Sequence, residues 1–228
     1  AVDNFISLHC EGIIACLAQD TIDYSHFEQL HDMGVPTVFF ARTCMPDKFS
    51  QVVANGDEAA FEATMHLIET GSKRIAFIGG PNHLDMVKRR KHGYLQALKE
   101  ARIPIDRRLV VCDKIDFEVA RNATIQLLQS EDRPDAILAF NDIVTYAAFD
   151  AIKSLGMSIP EDVAIIGFTD GDTAAFVTPR LSAIMDQASV QGMKACELLM
   201  RNINGDTRIY REVVPMILKI RESSEKNL

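Results

Sequence analysis

Short runs of apolar residues alternate along the chain with longer segments in which apolar positions return every three or four residues. Uninterrupted Val, Ile and Phe runs are typical of strands covered on both faces, and the longer spacing is typical of amphipathic helices. The runs predict strands at GIIACL (12–17), VPTVFF (35–40), RIAFIG (74–79), LVVC (109–112), DAILAF (135–140) and VAIIGF (163–168). This alternation predicts an α/β fold built on parallel sheets.

The ends of the predicted helices carry recognisable caps. Three helices end at a glycine, in HDMGVP, ETGSKRI and SLGMSIP, where glycine suits the left-handed position after a helix. Asn55 with Glu58, and the pair Asn141–Asp142, are typical of helix starts. Repeated strand and helix units of this kind form doubly wound sheets, which bind ligands beyond the carboxyl ends of their strands. The polar residues that follow the predicted strands are therefore the candidates for a site.

Composition excludes several classes of protein. The 228 residues contain no run of about eighteen apolar residues, and the N-terminal sequence has no secretory signal pattern. The five cysteines are widely spaced and include no C-x-x-C, which argues against a disulfide framework or a zinc site and favours a cytoplasmic protein. The net charge of −8 disfavours a broad nucleic-acid-binding surface.

The glycine pair after the third predicted strand does not fit a nucleotide loop. Gly79 and Gly80 are followed by no further glycine until Gly93, so the G-x-G-x-x-G pattern is absent, as is the G-x-x-x-x-G-K-[ST] pattern. We therefore interpret the turn as structural and place Asn82 and His83 at the mouth of a ligand site.

Four consecutive cations, residues 88–91, occupy the helix that follows this turn. Successive helical residues advance about 100°, so the four spread around the helix and do not form one DNA-facing stripe. Arg90 shares a face with Val87 and Tyr94 and should point toward the sheet. Its guanidinium suits either a carboxylate or the hydroxyl groups of a ligand, so a structural ion pair and a ligand contact both remain open.

Polar pairs follow two further strands. Asn141 and Asp142 come directly after DAILAF, and Thr169 and Asp170 come directly after VAIIGF, with Asp172 close behind. Each group is interpretable as a helix cap or turn, or as a set of hydrogen-bonding groups for a polyol.

Catalytic patterns are missing. There is no G-x-S-x-G, no H-E-x-x-H and no metal-ligand spacing among the six histidines, so we predict no catalytic residue, no metal and no cofactor. A metal at His83 and Asp85, or hydrolysis using His83 or Asp170, is the less favoured alternative. The stripe of Met193, Cys196, Met200 and Ile203 predicts a buried helix face.

A set of motifs in a fixed order resembles a known family. The segments are RIAFIGGP, the Arg-x-x-Gly-Tyr of residues 90–94, PDAILAFND, IPEDVAIIGF, TPRLSAIMDQ and IRESS. Together they resemble the effector-binding domain of the lactose-repressor (LacI/GalR) family of transcription regulators. The resemblance implies two doubly wound, periplasmic-binding-protein-like (type I) lobes around a ligand cleft. Residues 1–54 plus 185–212 would form the N-terminal lobe, and residues 55–184 plus 213–228 the C-terminal lobe.

The resemblance also implies where an effector binds. The expected contacts are Asn82, His83, Arg90, Ile115, Asn141, Asp142, Thr169 and Asp170. Three positions depart from the family pattern: Ala41 and Thr169 stand where aspartate is usual, and Ile115 stands where an aromatic residue is common.

By the same resemblance, the chain is a non-enzymatic sensor, cytoplasmic and homodimeric, that binds a small effector such as a sugar or sugar derivative. Operator DNA would be bound by an N-terminal helix-turn-helix that this chain does not contain. The first βαβ of the N-terminal lobe is also missing from the sequence, so that lobe is expected to be incomplete. The alternative is a periplasmic-type solute-binding protein of a transporter.

Overall fold

The computed structural model describes residues 10–169 and 172–226, and this part of the chain contains ten strands and six α-helices. The strands are β1 (Ile13–Ala15), β2 (Thr37–Phe40), β3 (Ser50–Ala54), β4 (Ile75–Gly79), β5 (Val110–Cys112), β6 (Ala136–Ala139), β7 (Ala164–Phe168), β8 (Ser182–Met185), β9 (Arg211–Val214) and β10 (Ile217–Lys219). The helices are α1 (Ser25–Asp32), α2 (Gly56–Glu69), α3 (Asp85–Glu100), α4 (Phe117–Leu128), α5 (Asp142–Ser154) and α6 (Ala188–Ile203). Short 3₁₀ turns occupy Arg107–Leu109, Asp172–Ala175 and Glu222–Ser224.

The chain divides into two compact units. The first contains the described residues up to Asn55 together with Gln187–Pro215, and the second contains Gly56–Asp186 together with the residues from Met216 onward. Residues 185–186 group with the second unit because β8 pairs with β7 and β10 there. Residues 213–215 group with the first unit, since β9 pairs with β3 as far as Val214.

The first unit is built on a four-stranded parallel sheet in the order β1-β2-β3-β9. Phe39 on β2 packs edge-on against Phe27 and Phe49, with ring centroids 4.9 and 5.3 Å away. The neighbouring Val38 points to the opposite face, because side chains alternate along a strand, and it packs there with Leu198 of α6. Both faces of this sheet are therefore covered.

The second unit is built on a six-stranded sheet in the order β10-β8-β7-β6-β4-β5. All neighbouring strands are parallel except β10, which runs antiparallel to β8. From β4 the chain passes outward to β5 and then returns to β6 on the other side of β4. This reversal of strand order creates the kind of position at which doubly wound sheets bind ligands.

Helices cover both faces of the second sheet. The crossovers from β4 to β5 and from β6 to β7 run in opposite directions across the sheet, so right-handed connections place α3 and α5 on opposite faces. Helix α2 packs against α3, and α4 packs against α5. Burial on both sides explains why every residue of β4, β6 and β7 is buried.

Two glycines allow unusually close packing in the second unit. A Cβ at Gly93 of α3 would lie 1.9 Å from the carbonyl oxygen of Asp57 in α2. A Cβ at Gly167 of β7 would lie 2.2 Å from Oγ1 of Thr145 in α5. Any side chain at either position would push the packed elements apart.

The structure confirms the six predicted strands, each slightly shorter than its apolar run. It also confirms the predicted helix ends, because Gly34, Gly71 and Gly156 have φ of 69°, 96° and 69°. Within the described residues, no helix is long and apolar enough to cross a membrane.

Some elements were not predicted. Strands β3 and β8 lie in segments for which we predicted no strand. The prediction that the methionine stripe of α6 is buried is wrong: Met193 and Met200 are 59% and 54% exposed, and Cys196 is exposed too. The buried residues of this helix are Gln191, Ala195 and Leu198, and the last two pack with Val38 and Val52 of the sheet.

Candidate functional site

The candidate residues collect at the carboxyl ends of the strands in the second unit. The loop after β4 carries Asn82 and His83, Ile115 follows β5, Asn141 and Asp142 follow β6, and Thr169 follows β7. Since neighbouring parallel strands end at the same edge of the sheet, these loops surround one region beside the point where strand order reverses.

Arg90 is the buried cation of α3, with only 6% of its surface exposed. Its guanidinium carbon lies 3.8 Å from the centre of the Phe168 ring and 5.0 Å from that of Phe140. A terminal guanidinium nitrogen donates a hydrogen bond to the carbonyl oxygen of Phe140. Arg90 is therefore held by aromatic rings and a carbonyl at the ends of β6 and β7, where cation–π contacts compensate part of its desolvation.

The other three cations point elsewhere, as the helical spacing predicts. Arg89 forms ion pairs with Asp85 at 2.8 Å and Asp57 at 3.8 Å. Lys91 donates a hydrogen bond to Oδ1 of Asn82, and Lys88 is exposed. The four cations do not form a common surface that would suit a DNA backbone.

Asn141 caps α5, which confirms the cap interpretation of this residue. Its Oδ1 accepts a hydrogen bond from the backbone nitrogen of Val144 at 3.0 Å, and its side-chain amide still provides N–H donors. Thr169 is buried, and its hydroxyl group donates a hydrogen bond to a carboxylate oxygen of the exposed Asp142. This bond ties the end of β7 to the beginning of α5 and orients the Asp142 carboxylate.

An apolar wall borders these polar groups. Ile115 packs with Leu84, Val87 and Phe140 in one cluster. A Cβ at Gly80 would lie 2.8 Å from Cγ1 of Ile115, so a side chain at this position would require Ile115 to move. This close approach supports the interpretation of the glycine pair as a structural turn.

The remaining candidates are exposed or lie outside the described residues. Asn82 and His83 are exposed in the loop between β4 and α3. Asp170 lies outside the described residues, so its predicted contact stays a prediction.

The chemistry offered by the described groups is that of binding. The guanidinium of Arg90 and the amide of Asn141 donate hydrogen bonds, and the carboxylate of Asp142 accepts them. The nearby Cys112 is half-buried, and burial raises the pKa of its thiol more than the charge of Lys91 lowers it. Cys112 is therefore not activated as a nucleophile. Within residues 10–169 and 172–226, no group of three or more His, Cys, Asp or Glu side chains is arranged to hold a metal ion.

Sequence reasoning missed the aromatic partners of Arg90. Phe140 and Phe168 stand at the ends of two predicted strands, DAILAF and VAIIGF, and were counted only as apolar positions. An aromatic residue at the end of adjacent parallel strands, together with an inward arginine, is the signal that would have indicated them.

Comparison with known proteins assigns the chain to a family. The model of the periplasmic binding protein-like domain matches residues 64–224. The chain belongs to the periplasmic binding protein-like domain family. The match includes most of the second unit and every candidate residue.

Relatives of this domain confirm the resemblance to the lactose-repressor family. The chain is 29% identical to the HTH-type transcriptional repressor PurR of Actinobacillus pleuropneumoniae serotype 3, over 92% of this chain and 62% of the relative. It is 31% identical to the probable repressor ExuR of Bacillus subtilis, over 83% and 58%. It is 30% identical to the repressor CytR of Escherichia coli K12, over 90% and 59%. The chain therefore spans about three-fifths of the length of these curated relatives.

Solved structures give the same result for this periplasmic binding protein-like chain. The transcriptional regulator CelR in complex with cellobiose is 29% identical, with a TM-score of 0.88 over 97% of this chain and 68% of that one. A LacI-family regulatory protein from Chloroflexus aggregans is also 29% identical, with a TM-score of 0.88 over 97% and 79%. The predicted fold class, parallel doubly wound sheets of the periplasmic-binding-protein type, is confirmed.

Proposed function

We propose that this chain is the ligand-sensing core of a LacI-family transcriptional regulator. The observation that carries the proposal is the buried guanidinium of Arg90 at the carboxyl ends of β6 and β7, in a domain whose relatives are named as transcriptional repressors. Arg90 lies beside Asn141 and Asp142, so donors and an oriented acceptor converge where doubly wound sheets bind ligands.

The proposed effector is a small hydroxylated molecule, a sugar or a sugar derivative. Arg90 and the amide of Asn141 would donate to its oxygen atoms, and the Asp142 carboxylate, oriented by Thr169, would accept from its hydroxyl groups. Ile115 would provide an aliphatic surface in place of a stacking ring. The cellobiose named for the CelR neighbour supports a sugar. Asn82, His83 and Asp170 complete the proposed contacts.

Regulation would follow from differential binding. An effector that binds one conformational state more tightly than another shifts the population toward that state, and a DNA-binding region outside this chain would respond with altered affinity for its operator. Coupling of about 1–3 kcal/mol would change operator affinity about 5- to 150-fold. The protein would act in the cytoplasm and would not be an enzyme.

A transporter solute-binding protein is the second candidate, because it would share the domain and the ligand chemistry. The names of the relatives favour regulation, since PurR, ExuR and CytR are all called repressors. Operator binding distinguishes the two, because a regulator changes its operator affinity when the effector is added and a transport protein binds no operator.

We also propose that the protein is a homodimer. Phe176 is 81% exposed and Ile143 is 43% exposed, although both are large apolar side chains. Their two segments are in contact, because the hydroxyl groups of Tyr146 and Thr173, three residues from Ile143 and Phe176 respectively, are 2.7 Å apart. Sedimentation of wild type and of the Phe176→Glu variant tests this: the variant should be monomeric, and an unchanged mass would reject this surface as the interface.

Calorimetric titration with a panel of sugars, sugar acids and nucleobases tests the binding proposal. Arg90→Ala should lose binding of whichever compound the wild-type chain binds. Arg89→Ala is the matched control, because it removes a neighbouring cation that forms ion pairs with the half-buried Asp57 of α2 and the exposed Asp85 of α3. Circular dichroism confirms folding of both variants. Wild-type affinity in Arg90→Ala would reject the assignment of the site.

A further inference from the structure

A cavity of about 430 Å³ lies at the opposite end of the second sheet from the candidate site. It is formed by residues 73–75 at the beginning of β4, by residues 103–107 and Leu109 before β5, and by Tyr94 and Leu98 of α3. Its volume falls within the range of about 300–1,000 Å³ that is typical of small-molecule sites. None of the proposed effector contacts lines it, so it is a separate feature of the unit.

Apolar side chains form part of the lining of this cavity. Ile75, Tyr94, Leu98 and Leu109 are at most 5% exposed, and the Tyr94 hydroxyl donates to the carbonyl oxygen of Ile75 at 2.8 Å. Ile105 belongs to the lining but remains 49% exposed. A molecule with an apolar body would cover this isoleucine and remove its surface from water, which favours binding.

The rim of the cavity is cationic. Lys73, Arg74 and Arg107 contribute three positive charges, and the carboxylate of Asp106 contributes one negative charge. Asp106 is already engaged, because it accepts from Arg108 at 2.7 Å and from Arg74 at 3.2 Å.

Two of these cations are available to a ligand. Among the described residues, the exposed side chains of Lys73 and Arg107 make no ion pair at 4.0 Å or less. Two neighbouring carboxylates reduce the local positive charge: Asp135 accepts from the backbone nitrogens of Lys73 and Arg74, and Asp132 lies 3.5 Å from Arg108. The side chains of Lys73 and Arg107 are therefore the groups that would attract an anion.

We propose that this cavity is a second small-molecule site, which binds an organic anion with a flat apolar body and one carboxylate, sulfonate or phosphate group. The body would lie against Ile103, Pro104 and Ile105, the accessible apolar residues of the lining, and the anionic group would lie between Lys73 and Arg107. This ligand class differs from the proposed effector of the carboxyl-end site. That site contains the carboxylate of Asp142, which suits the hydroxyl groups of a ligand and repels an anion.

Methyl NMR with selectively labelled isoleucine tests the proposal, because Ile75, Ile103 and Ile105 all line the cavity. The probe is anilinonaphthalene sulfonate, an aromatic anion, and Ile115 reports on the carboxyl-end site. Saturable shifts confined to the three cavity methyls are expected. Shifts that are concentrated at Ile115, or spread over the chain without saturation, would overturn the proposal.

Charge reversal separates specific from nonspecific binding of the probe. Lys73→Glu with Arg107→Glu should weaken binding at least about tenfold, since both charge-assisted contacts are replaced by repulsion. Lys153→Glu with Lys219→Glu makes the same change in net charge at exposed positions outside the lining and should bind like wild type. Equal affinity of the two double variants would refute the rim assignment. Phenylnaphthylamine, which lacks the sulfonate, should bind more weakly, and equal binding would refute the preference for an anion.

Discussion

Replacing Gly93 by alanine tests how closely α2 and α3 pack. The added Cβ would lie 1.9 Å from the oxygen and 2.8 Å from the carbon of the Asp57 carbonyl, and 3.0 Å from the nitrogen of Phe61. These are backbone atoms, so no rotamer change relieves the overlap. Carbon and oxygen atoms normally approach to about 3.3 Å, so the helices must separate by more than about 1 Å.

The sign of the effect distinguishes packing from helix propensity. Propensity alone predicts that Gly93→Ala stabilises the chain by about 1 kcal/mol. Overpacking typically costs about 1–3 kcal/mol and occasionally more. Because the contact at Gly93 is with rigid backbone, we expect the upper end of that cost and a net destabilisation of about 2 kcal/mol.

Gly192 provides the matched control, because it lies within α6 and a Cβ there would have nothing within 4 Å. Gly192→Ala should stabilise α6 by about 0.5–1 kcal/mol. Urea unfolding followed by circular dichroism measures both variants, and hydrogen exchange of the α3 and α6 amides assigns each change to its unit. A Gly93→Ala variant at least as stable as wild type would refute the packing argument.

Three further changes test local features. Gly156→Ala meets no atom within 4 Å but keeps φ near +69°, so it should destabilise by about 1 kcal/mol through the backbone alone, and an unchanged urea midpoint would contradict this. Thr169→Val removes the donor to the exposed Asp142 carboxylate and should cost about 1 kcal/mol in urea unfolding, whereas a neutral result would show that water replaces the bond. The pKa of Asp106 is held well below its usual range by hydrogen bonds from Arg108, so its stabilising contribution is present at neutral pH and is lost as the pH falls below about 4. Asp106→Asn should flatten the acid side of the stability profile, and an identical profile would contradict the assignment.

The strands of the second unit were predictable because their burial is uniform. Strands β4, β6 and β7 are covered on both faces, so their sequences are continuous apolar runs. Strand β3 was not predictable in this way, because it buries Ser50 and Gln51. Their polar groups are satisfied by distant partners: Gln51 donates to the carbonyl oxygen of Cys44 at 2.7 Å, and Ser50 accepts from the backbone of Tyr210 at 3.1 Å.

Helix α6 shows the limit of periodicity. It carries apolar residues on two faces, and the sheet covers the face with Ala195 and Leu198 while Met193 and Met200 are exposed. The spacing of residues predicts which of them share a helix face, but the tertiary packing determines which face is buried.

The positions of the candidate site residues were predictable from the sequence, but the contacts between them were not. The helical spacing correctly places Arg90 toward the sheet, and the strand ends correctly locate Asn141 and Thr169. The contact of Arg90 with Phe140 and Phe168 depends on the order of strands in the sheet, which no local pattern of residues specifies. The bond between Thr169 and Asp142 depends on it as well.

The packing of α3 links stability to binding at this site. Arg90 lies one helical turn before Gly93, and the Cβ position of Gly56 at the beginning of α2 is 3.4 Å from Cγ of Arg90, so α2 also covers the arginine. A shift of α3 by about 1 Å would carry the guanidinium away from the Phe168 ring, and cation–π attraction weakens with distance.

Gly93→Ala should therefore weaken binding of the compound identified by calorimetry about tenfold, because the guanidinium of Arg90 would be displaced. The effect would be indirect, since Gly93 itself packs against α2. Gly192→Ala should leave the affinity unchanged, because it alters only the first unit. If Gly93→Ala loses stability and keeps wild-type affinity, the position of α3 does not control Arg90, and the aromatic rings alone must hold the guanidinium in place.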